Sequence, residues 1–151
     1  MNGVGITLAA ILSRRFEIDT VDPTTKQRLT QACVDNMRTV EEATVTKAGK
    51  AKARTVVKFT PDLDHFEGVA SLTPLHALVR TRLTQLSATL GGRVTFWFNG
   101  ERINVPSFKK YIALFPHTKT YYERVNDTFE YGFGLSESNQ FEHHSFVNNL
   151  H

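Results

Sequence analysis

Two glycines flank Val4 in the run Asn2-Gly3-Val4-Gly5, immediately before an apolar stretch. Gly-X-Gly lets a backbone approach a ligand closely. A helix that starts there presents free N–H groups and the positive end of its dipole. Together these features suit an anion, such as the phosphate of a nucleotide. The same four residues also read as an ordinary tight turn, and the motif alone leaves both readings open. It is not a P-loop, because no Gly-Lys-Ser/Thr follows, and no strand stands directly before the glycines as a dinucleotide fingerprint requires.

Cationic side chains are the second group with chemical potential. Lys47, Lys50, Lys52 and Arg54 cluster in Lys47-Ala-Gly-Lys-Ala-Lys-Ala-Arg54, which reads as the tip of a hairpin. Lys109-Lys110 and Arg80/Arg82 fall on expected helix surfaces. These residues suit contacts with nucleic-acid phosphates, or they form a solvated surface. His143-His144 lacks further ligands at metal spacing, and neighbours in a strand point to opposite faces, so no metal ligand is assigned. Asp62, Asp64 and His65 read as turn and cap residues. No Ser/His/Asp or Cys/His arrangement stands out, so no catalytic residue is assigned. Trp97 and the phenylalanines lie at strand spacing and read as core, and Cys33 as a small buried hydrophobe.

The elements that must position these groups follow from periodicity. Gly5 to about Ser13 is apolar nearly all round, as expected of a helix packed under a sheet. Phe16, Ile18 and Thr20 alternate with Arg15, Glu17 and Asp19, the pattern of a half-buried strand. Asp22-Pro23 turns the chain, and Lys26 to Val34, Val40 to Val45 and Thr55 to Thr60 are further strands. Leu75, Leu78, Val79, Leu83, Leu86 and Leu90 fall at helical spacing, with Thr73 as expected N-cap, Pro74 in the first turn and Gly91-Gly92 as the stop. Asn99-Gly100 between β-rich runs predicts a tight hairpin. Ser107 caps a short helix, and Tyr121 to Val125, Phe129 to Leu135 and Phe141 to Val147 predict an antiparallel meander.

The 151 residues suffice for one domain or two small lobes, and the best boundary is near residues 61–70. Hydrophobic residues make up 40% and charged residues 22%, which is ordinary globular composition. A net charge of +3 and a pI near 9.1 are compatible with a polyanionic partner. One cysteine excludes an internal disulfide and favours a reducing compartment. No apolar run approaches the roughly 20 residues of a membrane helix. The apolar start has no basic residue before it, and Arg14-Arg15 follow it on the wrong side for a signal peptide.

In order, these segments resemble the ATPase region of type IIA DNA topoisomerases, closest to the eukaryotic and viral topoisomerase II type. Asn2-Gly-Val-Gly-Ile-Thr7 is similar to the family's Gly-Arg-Asn-Gly-Tyr/Val-Gly-Ala-Lys box. Thr55-Val-Val-Lys-Phe-Thr-Pro-Asp-Leu63 resembles the strand and Pro-Asp-Leu element that closes the ATPase lobe. Phe96-Trp-Phe-Asn-Gly-Glu-Arg-Ile-Asn-Val-Pro-Ser-Phe-Lys-Lys-Tyr111 resembles the transducer hairpin and helix. Tyr122-Glu-Arg-Val-Asn126, Phe129 to Ser136 and Gln140 to Asn148 follow the family's next strands.

The resemblance implies an α/β (α+β) fold. Residues 1–66 would be the C-terminal part of a GHKL-type ATPase sandwich, and 67–151 the start of a ribosomal-protein S5 domain-2-like transducer. It implies ATP and magnesium as cofactors, with Asn2, Gly3, Val4, Gly5, Ile6 and Thr7 around the triphosphate. DNA would be one partner and a second copy of the full-length parent another, and no membrane is implied. Location would be intracellular: the nucleus in a eukaryote, otherwise the site of viral or cellular DNA replication. Lys47, Lys50, Lys52, Lys109 and Lys110 are the DNA-contact candidates. Two departures bear on activity: Met1 replaces the family Arg, and Thr7 replaces the family Lys. The family's general-base Glu, magnesium-binding Asn and DNA-cleaving Tyr match nothing here, so the chain reads as a fragment without a catalytic residue of its own. The alternative is a non-enzymatic nucleic-acid-binding or degenerate interaction module.

Overall fold

The computed structural model describes residues 4–69, 71–137 and 140–148, excepting the side chains of residues 117 and 118. The fold is mixed α and β, in two compact units divided between Ser71 and Leu72.

The first unit is an antiparallel sheet with one helix, α1 (Val4–Ile11). β1 (Ser13–Val21) lies between β2 (Gln27–Val34) and β5 (Arg54–Pro61), while β3 (Thr39–Val40) and β4 (Thr44–Lys47) pair with β2. β1 forms where the alternation places it, but its burial does not alternate: Glu17 to Thr20 are all half-buried, and Val21, on the side of Arg15, Glu17 and Asp19, is buried. Phe16 and Ile18 oppose Phe59 and Val57 on β5, while Arg15, Glu17 and Asp19 hold ion pairs on the other side. The core includes Ala10, Phe16, Val21 and Ala32. The Asp22-Pro23 turn forms because the Asp22 carboxylate accepts from the N–H groups of Thr24 and Thr25 and from the Thr25 hydroxyl.

Three further expectations for this unit are corrected. The helix ends at Ile11, because Ser13 joins β1, where its hydroxyl donates back to the Ala9 carbonyl at 2.5 Å. Only Ala10 of α1 is buried. Val4, Ile6, Leu8 and Ile11 stay 42–52% exposed, because a single sheet covers one side of a helix. Residues 47–54 are not a hairpin tip. β4 sits beyond β2 and β5 beyond β1, so this connection crosses the end of the sheet over three inter-strand spacings, about 14 Å.

The second unit begins with α2 (Thr73–Thr89), whose C-terminal half packs through Gln85, Ser87 and Ala88. Gly91 and Gly92 follow at φ 59° and 77°. Thr73 is the first helical residue, not the cap; Leu72 holds that position and gives no side-chain bond. The expected hairpin is present as β6 (Trp97–Phe98) and β7 (Glu101–Arg102). Asn99 and Gly100 take φ 50° and 82°, a turn with two left-handed residues. α3 (Phe108–Ile112) is capped as expected, with the Ser107 hydroxyl accepting from the Lys110 N–H.

β8 (His117–Arg124) and β9 (Glu130–Ser136) form an antiparallel ladder against α3. Gly132 of β9 lies under Ile112 of α3, with no room for a side chain. The expected third strand is absent among the described residues 140–148, which instead send Phe146 and His144 onto Tyr111. Trp97, Phe129, Phe133 and Phe141 are 56–90% exposed rather than core, and Phe59 and Phe66 of the first unit are exposed too. A two-stranded ladder needs a cover on each face, and α3 supplies only one. Cys33 is half-buried on β2 opposite Phe16, not enclosed.

Candidate functional site

The phosphate-cradle expectation falls on the first turn of α1. Val4, Gly5, Ile6 and Thr7 are all exposed, while Asn2 and Gly3 lie outside the described residues. The leading N–H groups of a helix have no partners within it, and no acidic side chain stands in this first turn to take them up. A Cβ built on Gly5 meets nothing within 4 Å, so the backbone is open to close approach.

The far end of α1 is fixed. Leu12 N–H donates to the Leu8 carbonyl, and Asp62 N–H donates to the Leu12 carbonyl, both at 2.9 Å. Arg14 then bridges two carboxylates, Asp62 at 3.1 Å and Asp64 at 2.9 Å. The Arg14 hydrogen bond is the main reason that the Asp62 carboxyl sits below its ordinary range. Asp62 and Asp64 thus tie the end of β5 to the start of β1, as turn residues do, and His65 stands 3.7 Å from Asp62. Sequence reasoning missed Arg14 as the partner of this pair; only the register of β1 on β5 brings them together.

The basic candidates separate. Lys47, Lys50 and Lys52 lie exposed at one end of the first unit's sheet. The crossing connection brings them beside Lys26, whose carbonyl accepts from Ala48 N–H at 2.8 Å. Lys26 is a residue that sequence reasoning passed over. Arg54 is drawn away from this group into a pair with Asp19 at 3.0 Å, and Asp19 also holds Arg28 at 2.8 Å. Those bonds, Arg28 first, hold the Asp19 carboxyl below its ordinary range. Lys109 and Lys110 belong to the second unit, on α3, where the Lys109 ammonium stands 5.9 Å from the centre of the Tyr122 ring.

Two open grooves accompany these groups. One, of about 330 Å³, runs over the charged face of the first sheet. Arg15 there bridges Glu17 and Glu41, and Asp19 pairs with Arg28. The other, of about 530 Å³, lies beside Gly91, Ser107 and the β8–β9 turn. In it the Tyr122 hydroxyl donates to Glu130, and Arg124 is held by Asp127. His143 and His144 turn to different rings, Phe141 and Phe115.

No family model matches the chain. It is 34% identical over 154 residues to a probable DNA topoisomerase 2 of Dictyostelium discoideum, a match that covers 99% of this chain and 10% of that protein. It is 33% identical over 159 residues to DNA topoisomerase 2 of Arabidopsis thaliana, covering 99% and 11%. The fold superposes on the ATPase and transducer domains of DNA topoisomerase II from Balamuthia mandrillaris with a TM-score of 0.83 and 30% identity, covering 98% of this chain and 38% of that one. The chain is homologous to the ATPase and transducer region of type II DNA topoisomerases. It spans about a tenth of the length of the curated topoisomerases it matches. Among the described residues, no helix is long and apolar enough to cross a membrane.

Proposed function

We propose that this chain is part of an ATP-dependent type II DNA topoisomerase and supplies a phosphate-binding turn and the start of the coupling transducer. The observation that carries the reading is the open first turn of α1, in a chain of which 98% matches the ATPase and transducer domains of a DNA topoisomerase II. Residues 1–66 are assigned to the ATPase lobe and 67–151 to the transducer. Val4, Gly5, Ile6 and Thr7, with Asn2 and Gly3 ahead of them, would hold the nucleotide phosphates, and the donors fit that role because unpaired N–H groups and the helix dipole both favour an anion. ATP would supply the phosphoryl group whose transfer drives the cycle. These residues bind and orient its phosphates and place fixed positive dipoles where charge develops. No carboxylate stands in the first turn of α1, so a magnesium ion would take its protein ligands from elsewhere.

The proposed partners are DNA and a second copy of the parent protein, inside the cell and, in a eukaryote, in the nucleus. The test is an amide NMR titration with a non-hydrolysable ATP analogue. Gly5, Ile6 and Thr7 should shift while the β8–β9 amides stay still. No shift in α1 at millimolar analogue would overturn the assignment. The second reading, a nucleic-acid-binding module without nucleotide, draws on the lysine group at the sheet end and predicts DNA binding with no analogue response.

A further inference from the structure

We infer that the end of the first unit's sheet formed by Lys26, Lys47, Lys50 and Lys52 is a docking surface for the phosphate backbone of duplex DNA. Four observations carry it. The connection between β4 and β5 is a strap across the sheet end, fastened to the β1–β2 turn by the Ala48–Lys26 hydrogen bond, so lysines distant in sequence share one surface. All four are exposed, and among the described residues none of them makes an ion pair. Two carboxylates of β1 and its turn are engaged with other groups: Asp19 with Arg28 and Arg54, and Asp22 with Thr24 and Thr25, although Asp22 also feels the charge of Lys26. Between the lysines the strap carries only Ala48, Gly49 and Ala51, so no bulky side chain there holds a rigid polyanion away.

The shape selects the ligand. The lysines are distributed along a strap that crosses about 14 Å of sheet, wider than one phosphate group, which favours a linear polyanion over a free nucleotide. Residues 22–28 and 47–54 contain no aromatic side chain on which an unpaired base could stack, which favours a duplex over a single strand. Lysine ammoniums act as point charges, so binding should follow phosphate density and ignore base sequence. The choice of DNA among polyanions rests on the functional reading above; the charge argument does not.

The test measures binding of a short duplex by the whole chain across a salt series, with no nucleotide present. With four phosphates engaged, the slope of log affinity against log salt should be about −3.6, a loss on the order of a hundredfold between 50 and 200 mM salt. The variant Lys26→Ser/Lys47→Ser/Lys50→Ser/Lys52→Ser should lose that slope, while Lys109→Ser/Lys110→Ser should keep most of it. Lys50→Arg/Lys52→Arg should bind like the parent, and circular dichroism of each variant should match it. An unchanged slope in the quadruple variant overturns the proposal. So does tighter binding of single-stranded DNA, or of polyglutamate, than of the duplex. The ATP-analogue titration is read separately, so an α1 response without DNA binding removes the docking surface alone, and DNA binding without an α1 response removes the nucleotide assignment alone.

Discussion

Gly132 on β9 lies so close under Ile112 of α3 that a Cβ built on it would stand 2.3 Å from Ile112 Cδ1 and 2.9 Å from the Tyr121 carbonyl oxygen. Helix and strand therefore meet with no layer between them, and the glycine is required by that approach rather than by its φ. Gly132→Ala should destabilise the protein by about 1–3 kcal/mol, the usual range for overpacking. Ile112→Val removes the nearer of the two obstructions. A double-mutant cycle followed by denaturant unfolding should show coupling of about 0.5–3 kcal/mol, with partial rescue because the carbonyl remains. Simple additivity would mean that the strand shifts freely.

Arg14 reads out through pH. Its hydrogen bond to Asp62 is the main cause that lowers the Asp62 carboxyl from its ordinary value of 3.8. A carboxyl lowered on folding adds stability that is present above 3.8 and is lost as pH falls through its folded value. Asp62→Asn should therefore flatten the acid limb of the stability curve below about pH 4 and leave the neutral-to-alkaline limb parallel to that of the parent. Arg14→Gln should raise the Asp62 pKa toward the ordinary value, measurable by carbonyl NMR. An unaltered acid limb in Asp62→Asn would show that the bridge does not persist in solution.

Glu123 accepts from two tyrosines, Tyr131 at 2.5 Å and Tyr121 at 2.8 Å. These bonds, Tyr131 first, lower the Glu123 carboxyl, and the bond to Glu123 pushes the Tyr131 phenol up to about 12. A phenol raised on folding contributes stability that is fully present below its ordinary value of 10.0 and is lost as pH rises from there through about 12. Ultraviolet titration of phenolate should show a late-ionising tyrosine that Glu123→Gln returns toward 10.0. Tyr131→Phe should remove that late phase, which identifies the residue.

What could be read from the chain was what its neighbours in sequence decide. Asn99-Gly100 fixes its own left-handed turn, and Ser107 lies three residues from the N–H it caps, so both were legible. Strand pairing is decided at a distance. Lys47 to Arg54 has the composition of a hairpin tip, but it becomes a strap because β4 chooses β2 and β5 chooses β1. That choice also hid Lys26, which is unremarkable until Ala48 is hydrogen-bonded to it. Trp97 has strand spacing that implies a buried face, yet the pattern says nothing of whether another layer covers it, and it stays 61% exposed. The helix of the candidate site was legible, whereas the Arg14 bridge that anchors its far end depends on a register no local pattern encodes.

Thr7 stands where the resembling family carries a lysine, on the exposed first turn of α1. If that turn holds nucleotide phosphates, restoring the cation should strengthen binding without altering the fold. A hydrogen bond to a charged group contributes about 1.5–3 kcal/mol, so Thr7→Lys should tighten an ATP analogue by about ten- to a hundredfold. The gain should be absent for adenosine, which has no phosphate, and should shrink as salt rises. Calorimetric titration of parent and variant with both ligands checks it, and thermal unfolding confirms that the two share a stability. Equal tightening of adenosine would mean that the new side chain packs on the base or sugar, and no tightening of either ligand would remove the phosphates from this turn.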